Sequence, residues 1–251
     1  MENANLAVIG VAAIIGLLVG PLLGIAVDRT VERIRPQAEH RCPQCKTGLG
    51  LASLIPVGGW FVGCPANDKH RSLRYPMVDL ATSVGFGLVG FRFGSDWMLT
   101  PYLGFTGVLV VLAVIDIETH LLPNIIMWPA IWAGLFVVLV LSGLNDYPEG
   151  INSALVAAAV ASGFIGAAHL AYEAGMGRGD VKLALLVGLL VGWPQAEVVT
   201  ALRLAFATLI VALLTIGIGG GLYNLVRRRG RVEIAFGPAL IGACMVMIVV
   251  G

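Results

Sequence analysis

The chain has 251 residues, of which 58% are hydrophobic and only 12% are charged, and its mean hydropathy is +0.90. Soluble domains are roughly half apolar and about a quarter charged, so this composition excludes an ordinary soluble domain and predicts an integral membrane protein. The formal net charge of +1 gives no indication of a nucleic-acid partner.

Eight apolar runs follow one another along the chain. A helix needs about 20 apolar residues to cross the hydrocarbon core of a bilayer, which is about 30 Å thick. Seven runs approach that length, and we expect each to be a transmembrane helix. The first is too long for a cleaved signal peptide, and no Lys or Arg precedes it, so we expect it to remain as a span. The seven runs cover residues 6–27, 76–94, 98–115, 125–143, 152–172, 198–219 and 234–250.

The remaining run, residues 181–193, has a length that is also typical of a re-entrant segment. The basic residues favour a crossing. If all eight segments cross and the amino terminus lies outside, every Lys and Arg except Arg92 and Arg203 falls on the cytoplasmic side. This asymmetry follows the positive-inside rule and also predicts contact with anionic lipid. We therefore predict an all-helical, polytopic bundle of eight spans.

One polar segment, residues 28–75, is too long for a tight connection and too charged to lie in lipid. We interpret it as a small cytoplasmic domain that contains cysteines. The chain then divides into a first span at residues 1–27, the cytoplasmic domain at 28–75, and a membrane-embedded core of seven spans at 76–251.

Ionisable residues at membrane depth are costly and therefore suggest function. Asp116 lies at the inner end of the third span, and Asp180 lies at the start of the sixth. The predicted topology puts both carboxylates at the same cytoplasmic boundary, where they can meet. The seven candidates of this kind are Asp79, Asp116, Glu118, His169, Glu173, Asp180 and Arg203.

Two neighbouring carboxylates share a proton, because both cannot ionise cheaply. An aspartyl protease uses this arrangement, with one carboxylate activating a water and the protonated partner polarising the peptide carbonyl. Gly177 and Gly179 precede Asp180, and we expect them to form an active-site loop that turns tightly, since glycine accepts unusual backbone angles. The simpler interpretation of each aspartate alone is a polar residue at a helix end.

The segments 116–124 and 175–182 resemble the paired active-site motifs of type IV prepilin peptidases, GxGD-type membrane aspartyl proteases. The Gly-x-Gly-Asp element together with an Asp-x6-Pro element is a specific combination. Other stretches resemble the same family in the same order, so the resemblance covers nearly the whole chain. These stretches are residues 16–23, 42–45, 54–56, 60, 63–64, 75–80 and 236–238.

The resemblance implies an endopeptidase with catalytic Asp116 and Asp180, facing the cytoplasm from a bacterial inner membrane. Its substrates would be type IV prepilins or the pseudopilins of type II protein secretion, from which it would remove a short basic leader. The resemblance also implies methylation of the new amino terminus with S-adenosylmethionine. The sequence does not indicate the oligomeric state.

The cytoplasmic domain departs from the family that it resembles. That family has two C-x-x-C pairs, a four-thiolate zinc pattern, whereas here only Cys42, Cys45 and Cys64 are present and Asn67 replaces the fourth cysteine. A structural zinc takes four ligands, so His70 is the expected fourth, with His40 and Asp68 as alternatives. The other interpretation is three free thiols in a reducing cytosol.

Two other classes of function remain to be weighed. A proton-coupled transporter would use Asp116 and Asp180 as relay carboxylates, but it predicts carboxylates near the bilayer midplane, whereas both aspartates lie at one edge. A zinc-stabilised membrane scaffold would make both aspartates dispensable.

Overall fold

The structure is a computed structural model that describes residues 2–34, 74–171, 177–227 and 235–251. In these ranges the chain forms eight α-helices and no strand. Each predicted apolar run corresponds to one of these helices, so the prediction of an all-helical membrane protein is confirmed. The helices are α1 (Glu2–Ile34), α2 (Arg74–Phe93), α3 (Leu99–Thr119), α4 (Asn124–Leu144), α5 (Pro148–Ala171), α6 (Arg178–Gly192), α7 (Val198–Arg227) and α8 (Phe236–Val250).

Five of these helices are long and apolar enough to cross a membrane: α1 from Leu6 onward, α3, α4, α5, and α7 as far as Ile218. By contrast, α6 and α8 have 15 residues each. At a rise of 1.5 Å per residue, each is about 22 Å long, which is shorter than the hydrocarbon core. Eight crossings therefore stay a prediction.

The predicted cytoplasmic domain lies mostly outside the described residues. Its first part differs from expectation, because α1 continues past residue 27 and ends at Ile34. The candidate metal ligands Cys42, Cys45, Cys64 and His70 all fall in the part that the structure does not describe.

The chain divides into two compact units, and the first covers residues 1–115. Glycine allows α1 and α2 to approach closely in this unit. A Cβ atom placed on Gly16 would lie 2.7 Å from the carbonyl oxygen of Thr82, and one on Gly20 would lie 2.6 Å from Cα of Asp79. The Ser83 hydroxyl also donates a hydrogen bond of 2.9 Å to the carbonyl oxygen of Ala13. Small residues thus bring two helices into contact, as membrane helix pairs require.

The second unit covers residues 116–251, which include the last turn of α3 and helices α4 to α8. Its central element is α6, which contacts α4, α5, α7 and α8. Seven consecutive residues from Leu186 to Gly192 are buried. Close packing again depends on glycine, since a Cβ atom on Gly188 would lie 2.5 Å from the carbonyl oxygen of Ala157 in α5.

The carboxyl end of α6 is fixed by a buried hydrogen bond. The indole Nε1 of Trp193, a side chain with no exposed surface, donates to the hydroxyl of Ser142 in α4 at 2.8 Å. A buried indole N–H generally requires such an acceptor. With one end anchored and its sides covered, α6 holds the residues of its first turn in a defined position.

Candidate active site

Asp116 lies in the last turn of α3, three residues before that helix ends. Its side chain is only 5% exposed. The carboxylate oxygen Oδ2 accepts a buried hydrogen bond of 2.9 Å from the backbone N–H of Gly237, the second residue of α8. The first N–H groups of a helix have no partner within it, so Asp116 serves as the acceptor for one of them.

Asp180 is the third residue of α6 and is partly buried. Its Oδ2 accepts the backbone N–H of Gly177, the residue that directly precedes this helix, at 3.0 Å. This contact is the carboxylate half of a capping box. The first turn of a helix also carries a partial positive charge, which favours a carboxylate at this position.

The structure brings the two aspartates together. Asp116 and Asp180 belong to the same unit, and their carboxylates interact electrostatically. Each aspartate therefore accepts a hydrogen bond from a glycine N–H and also interacts with the charge of the other carboxylate. Two interacting carboxylates are the pair of groups that acid and base chemistry at a peptide bond requires.

The predicted glycines are present at the site, but the predicted reason for them is wrong. Gly177 has an ordinary extended backbone, with φ −77° and ψ 149°, and Gly94 is the only glycine with positive φ among the described residues. At Gly179 the requirement is space. A Cβ atom there would lie 2.9 Å from Cβ of Leu122 in the loop between α3 and α4, so glycine permits a close approach.

Lys182 links the two segments that carry the aspartates. It lies in α6, two residues after Asp180, and its Nζ donates a hydrogen bond to Oδ1 of Asn124 at the start of α4. The same ammonium group lies 5.2 Å from the centre of the Trp128 ring, within the range of a cation–π interaction. Sequence reasoning gave this lysine no such role.

Two histidines also interact electrostatically with the aspartates. His120 interacts with Asp116, and His169, near the end of α5, interacts with Asp180. His120 follows α3 directly and has a positive φ of 52°. The sequence did not predict that His169 lies near the site, because the local pattern of residues does not indicate that the end of α5 packs beside the start of α6.

The zinc prediction concerns residues that the structure does not describe. Among those that it does describe, no group of three or more His, Cys, Asp or Glu side chains could hold a metal ion. Cys244, the one cysteine in the described ranges, is a free and buried thiol in α8.

Comparisons with known proteins identify the family. Residues 103–223 match the model of the type IV leader peptidase family, and residues 14–93 match the bacterial peptidase A24 N-terminal domain. The prepilin leader peptidase/N-methyltransferase of Bacillus subtilis is 30% identical to this chain, over 71% of the chain and 72% of that protein. This chain belongs to the type IV leader peptidase family.

Other relatives of this leader peptidase family cover more of the chain. A protein of the same name from Neisseria gonorrhoeae is 28% identical over 91% of this chain and 86% of its own length. One from Stutzerimonas stutzeri is 26% identical over 96% of the chain and 90% of its own length. No solved structure gives a significant match.

These matches do not support the transporter alternative. Both aspartates lie inside the region that matches the leader peptidase family, whereas Gly237 lies beyond it. Sequence reasoning noted the stretch 236–238 only as a resemblance, and its contact with Asp116 emerges from the three-dimensional arrangement.

Proposed function

We propose that this chain is a membrane aspartyl endopeptidase that removes the leader peptide from prepilins or pseudopilins, with Asp116 and Asp180 as the acid and base. The observation that carries this proposal is the pair itself. Two carboxylates from distant parts of the sequence interact with each other, and each is held by a backbone N–H. The names of the relatives supply the substrate class.

Hydrolysis by such a pair proceeds with one shared proton. The ionised carboxylate removes a proton from a water molecule, and the water oxygen forms a bond to the carbonyl carbon of the scissile peptide. The protonated partner donates a hydrogen bond to the carbonyl oxygen as negative charge develops there. When the C–N bond breaks, the leaving nitrogen takes a proton from the pair, and the shared proton is restored.

The proposed site faces the cytoplasm. This orientation rests on the distribution of basic residues along the chain. A cysteine introduced at exposed Arg178 should react with an impermeant thiol reagent in inverted membrane vesicles only. A cysteine at exposed Asn145, on the opposite predicted face, should react in right-side-out vesicles only. Mass spectrometry of the labelled peptides separates these sites from the native cysteines, and the reverse pattern would contradict the orientation.

Two further features belong to the proposal. The relatives are also named N-methyltransferases, so we include methylation of the new amino terminus, with S-adenosylmethionine as the methyl donor. The cytoplasmic domain would bind one structural zinc ion, since Cys42, Cys45, Cys64 and His70 form a three-thiolate, one-imidazole set that zinc accepts.

The direct test is to incubate the purified chain with a prepilin in detergent or lipid and to measure the masses of the products. Cleavage yields a free leader and a shortened pilin, and methylation adds the mass of one methyl group when S-adenosylmethionine is present. An intact precursor after prolonged incubation with well-folded enzyme would contradict the peptidase assignment.

A further inference from the structure

We propose that α8 supplies a third part of the active site, in which Gly237 is a positioning residue for the carboxylate of Asp116. This proposal rests on the proposed function for its catalytic consequence, but the contact itself can be tested without any substrate. Gly237 acts in two ways: its backbone N–H binds Oδ2 of Asp116, and its missing side chain leaves room for that carboxylate.

The hydrogen bond is buried and joins residues at opposite ends of the second unit's sequence. Its donor is an N–H in the first turn of α8, which has no acceptor within the helix. The residue that directly precedes α8, Ala235, forms no side-chain hydrogen bond to this turn. The carboxylate of Asp116 therefore caps α8, and α8 in turn orients the carboxylate.

Backbone conformation does not require glycine at this position. Gly237 lies inside α8 and is not among the described residues with positive φ, so alanine would fit the backbone and would be the better helix former. Space is the requirement, because a Cβ atom on Gly237 would lie 2.6 Å from Oδ2 and 3.1 Å from Cγ of Asp116. Gly242, in the same helix, has no atom within 4 Å of such a Cβ position.

The two oxygens of Asp116 have different roles in this proposal. Because Oδ2 is bound to Gly237, Oδ1 is the oxygen that exchanges a proton with water or with the partner carboxylate. Asp180 is arranged in the same way, with Oδ2 bound to the N–H of Gly177. In each aspartate, one oxygen thus fixes the orientation of the carboxylate and the other exchanges protons. Both hydrogen-bond donors are backbone N–H groups of glycines at helix N-termini.

A methyl group at Gly237 should therefore disturb orientation more than folding. The Asp116 side chain is short and can rotate away from an added Cβ, but it then loses its hydrogen bond and directs both oxygens elsewhere. A displacement of about 1 Å in a reacting group can lower the rate by roughly 100-fold. Substrate binding depends on other contacts and should be unaffected.

The first test compares Gly237→Ala with Gly242→Ala in cleavage of a prepilin. We expect kcat of Gly237→Ala to fall by roughly 100-fold while KM stays within about twofold of the wild-type value. Gly242→Ala should match the wild type in both constants. A kcat for Gly237→Ala equal to that of Gly242→Ala would overturn the positioning role, and so would a change confined to KM.

The second test measures thermal unfolding and needs no activity. In a chain carrying Asp116→Ala, the added Gly237→Ala should raise Tm about as much as Gly242→Ala does, because only helix propensity remains. With Asp116 present, Gly237→Ala should instead lower Tm. Equal shifts in the two backgrounds would overturn the contact.

The two tests separate this inference from the proposed function. If the wild type does not cleave prepilins, the function fails while the Tm comparison still decides the contact. If Gly237→Ala fails to fold, the double variant decides: its folding supports the inference, and its failure to fold overturns it.

Discussion

Asparagine at either of the two proposed catalytic positions should separate folding from chemistry. In Asp116→Asn the amide oxygen can still accept the N–H of Gly237, and in Asp180→Asn it can still accept that of Gly177. Only the charge of the acceptor is lost. Hydrogen bonds to charged groups contribute about 1.5–3 kcal/mol and neutral ones about 0.5–1.5 kcal/mol, so we expect a loss of stability of about 1 kcal/mol.

The effect on the rate should be much larger. Removing a general acid or base lowers a rate by at least about 100-fold, which corresponds to about 2.7 kcal/mol of activation free energy. We therefore expect each variant to lose at least 99% of the cleavage rate, while Tm falls by only about 2–4 °C. The assay is the initial rate of prepilin cleavage by purified enzyme, beside a thermal melt of the same preparation.

Asp96 provides a matched control. Its Oδ1 accepts the backbone N–H of Met98 at 2.9 Å, so Asp96→Asn makes the same chemical change at an aspartate with a similar hydrogen bond. We expect a comparable or smaller change in Tm and an unchanged cleavage rate. A rate above about one tenth of the wild-type value in Asp116→Asn or Asp180→Asn would refute the proposed acid–base pair, since that loss is well below the minimum for such a group.

Three further predictions concern other parts of the chain. Gly16→Ala should lower the free energy of unfolding by about 1–3 kcal/mol in a thermal melt, because its Cβ would meet the backbone of α2. Gly10→Ala, which has no atom within 4 Å of its Cβ, should leave stability unchanged, and equal Tm values for the two variants would contradict the packing. Lys182→Met should lower both Tm and kcat by removing the contacts with Asn124 and Trp128 in α4, and Lys182→Arg should lower both by less. A methionine variant with the Tm and kcat of the wild type would rule out this role for Lys182. Elemental analysis should find about one zinc per chain, weakened or lost in His70→Ala, and a wild type without zinc would contradict the proposed metal site.

The apolar pattern predicted the number and order of the helices in the described ranges but not their ends. Because the pattern reports contact with lipid, it stops where polar residues begin, although the helical hydrogen bonds continue. Accordingly, α3 extends past the apolar run to Thr119, and α1 extends to Ile34. At α6 the helix begins at Arg178, so Asp180 lies in its first turn, where the backbone of Gly177 can bind it.

The aspartates could be singled out as candidate site residues because ionisable residues are rare in such a sequence, and rarity is visible without a structure. Their partners could not. Gly237 and Lys182 act through contacts with residues remote in sequence, and no periodicity records such contacts. The signal that could have found Gly237 is a glycine at the start of a span, next to Pro238, where a helix exposes N–H groups that need acceptors.

The location of the site at helix ends has a physical reason. Inside a membrane-spanning helix every backbone N–H is already bound, and a carboxylate there would find neither water nor a free donor. The first turn of a helix is the exception, because its N–H groups have no internal acceptors. Asp116 accepts an N–H from the first turn of α8, and Asp180 accepts the N–H of the residue that directly precedes its own helix, α6. Each carboxylate thereby gains a donor that replaces part of its hydration. A relay carboxylate near the middle of a span would have no such donors, so the arrangement fits hydrolysis at the membrane surface better than transport across it.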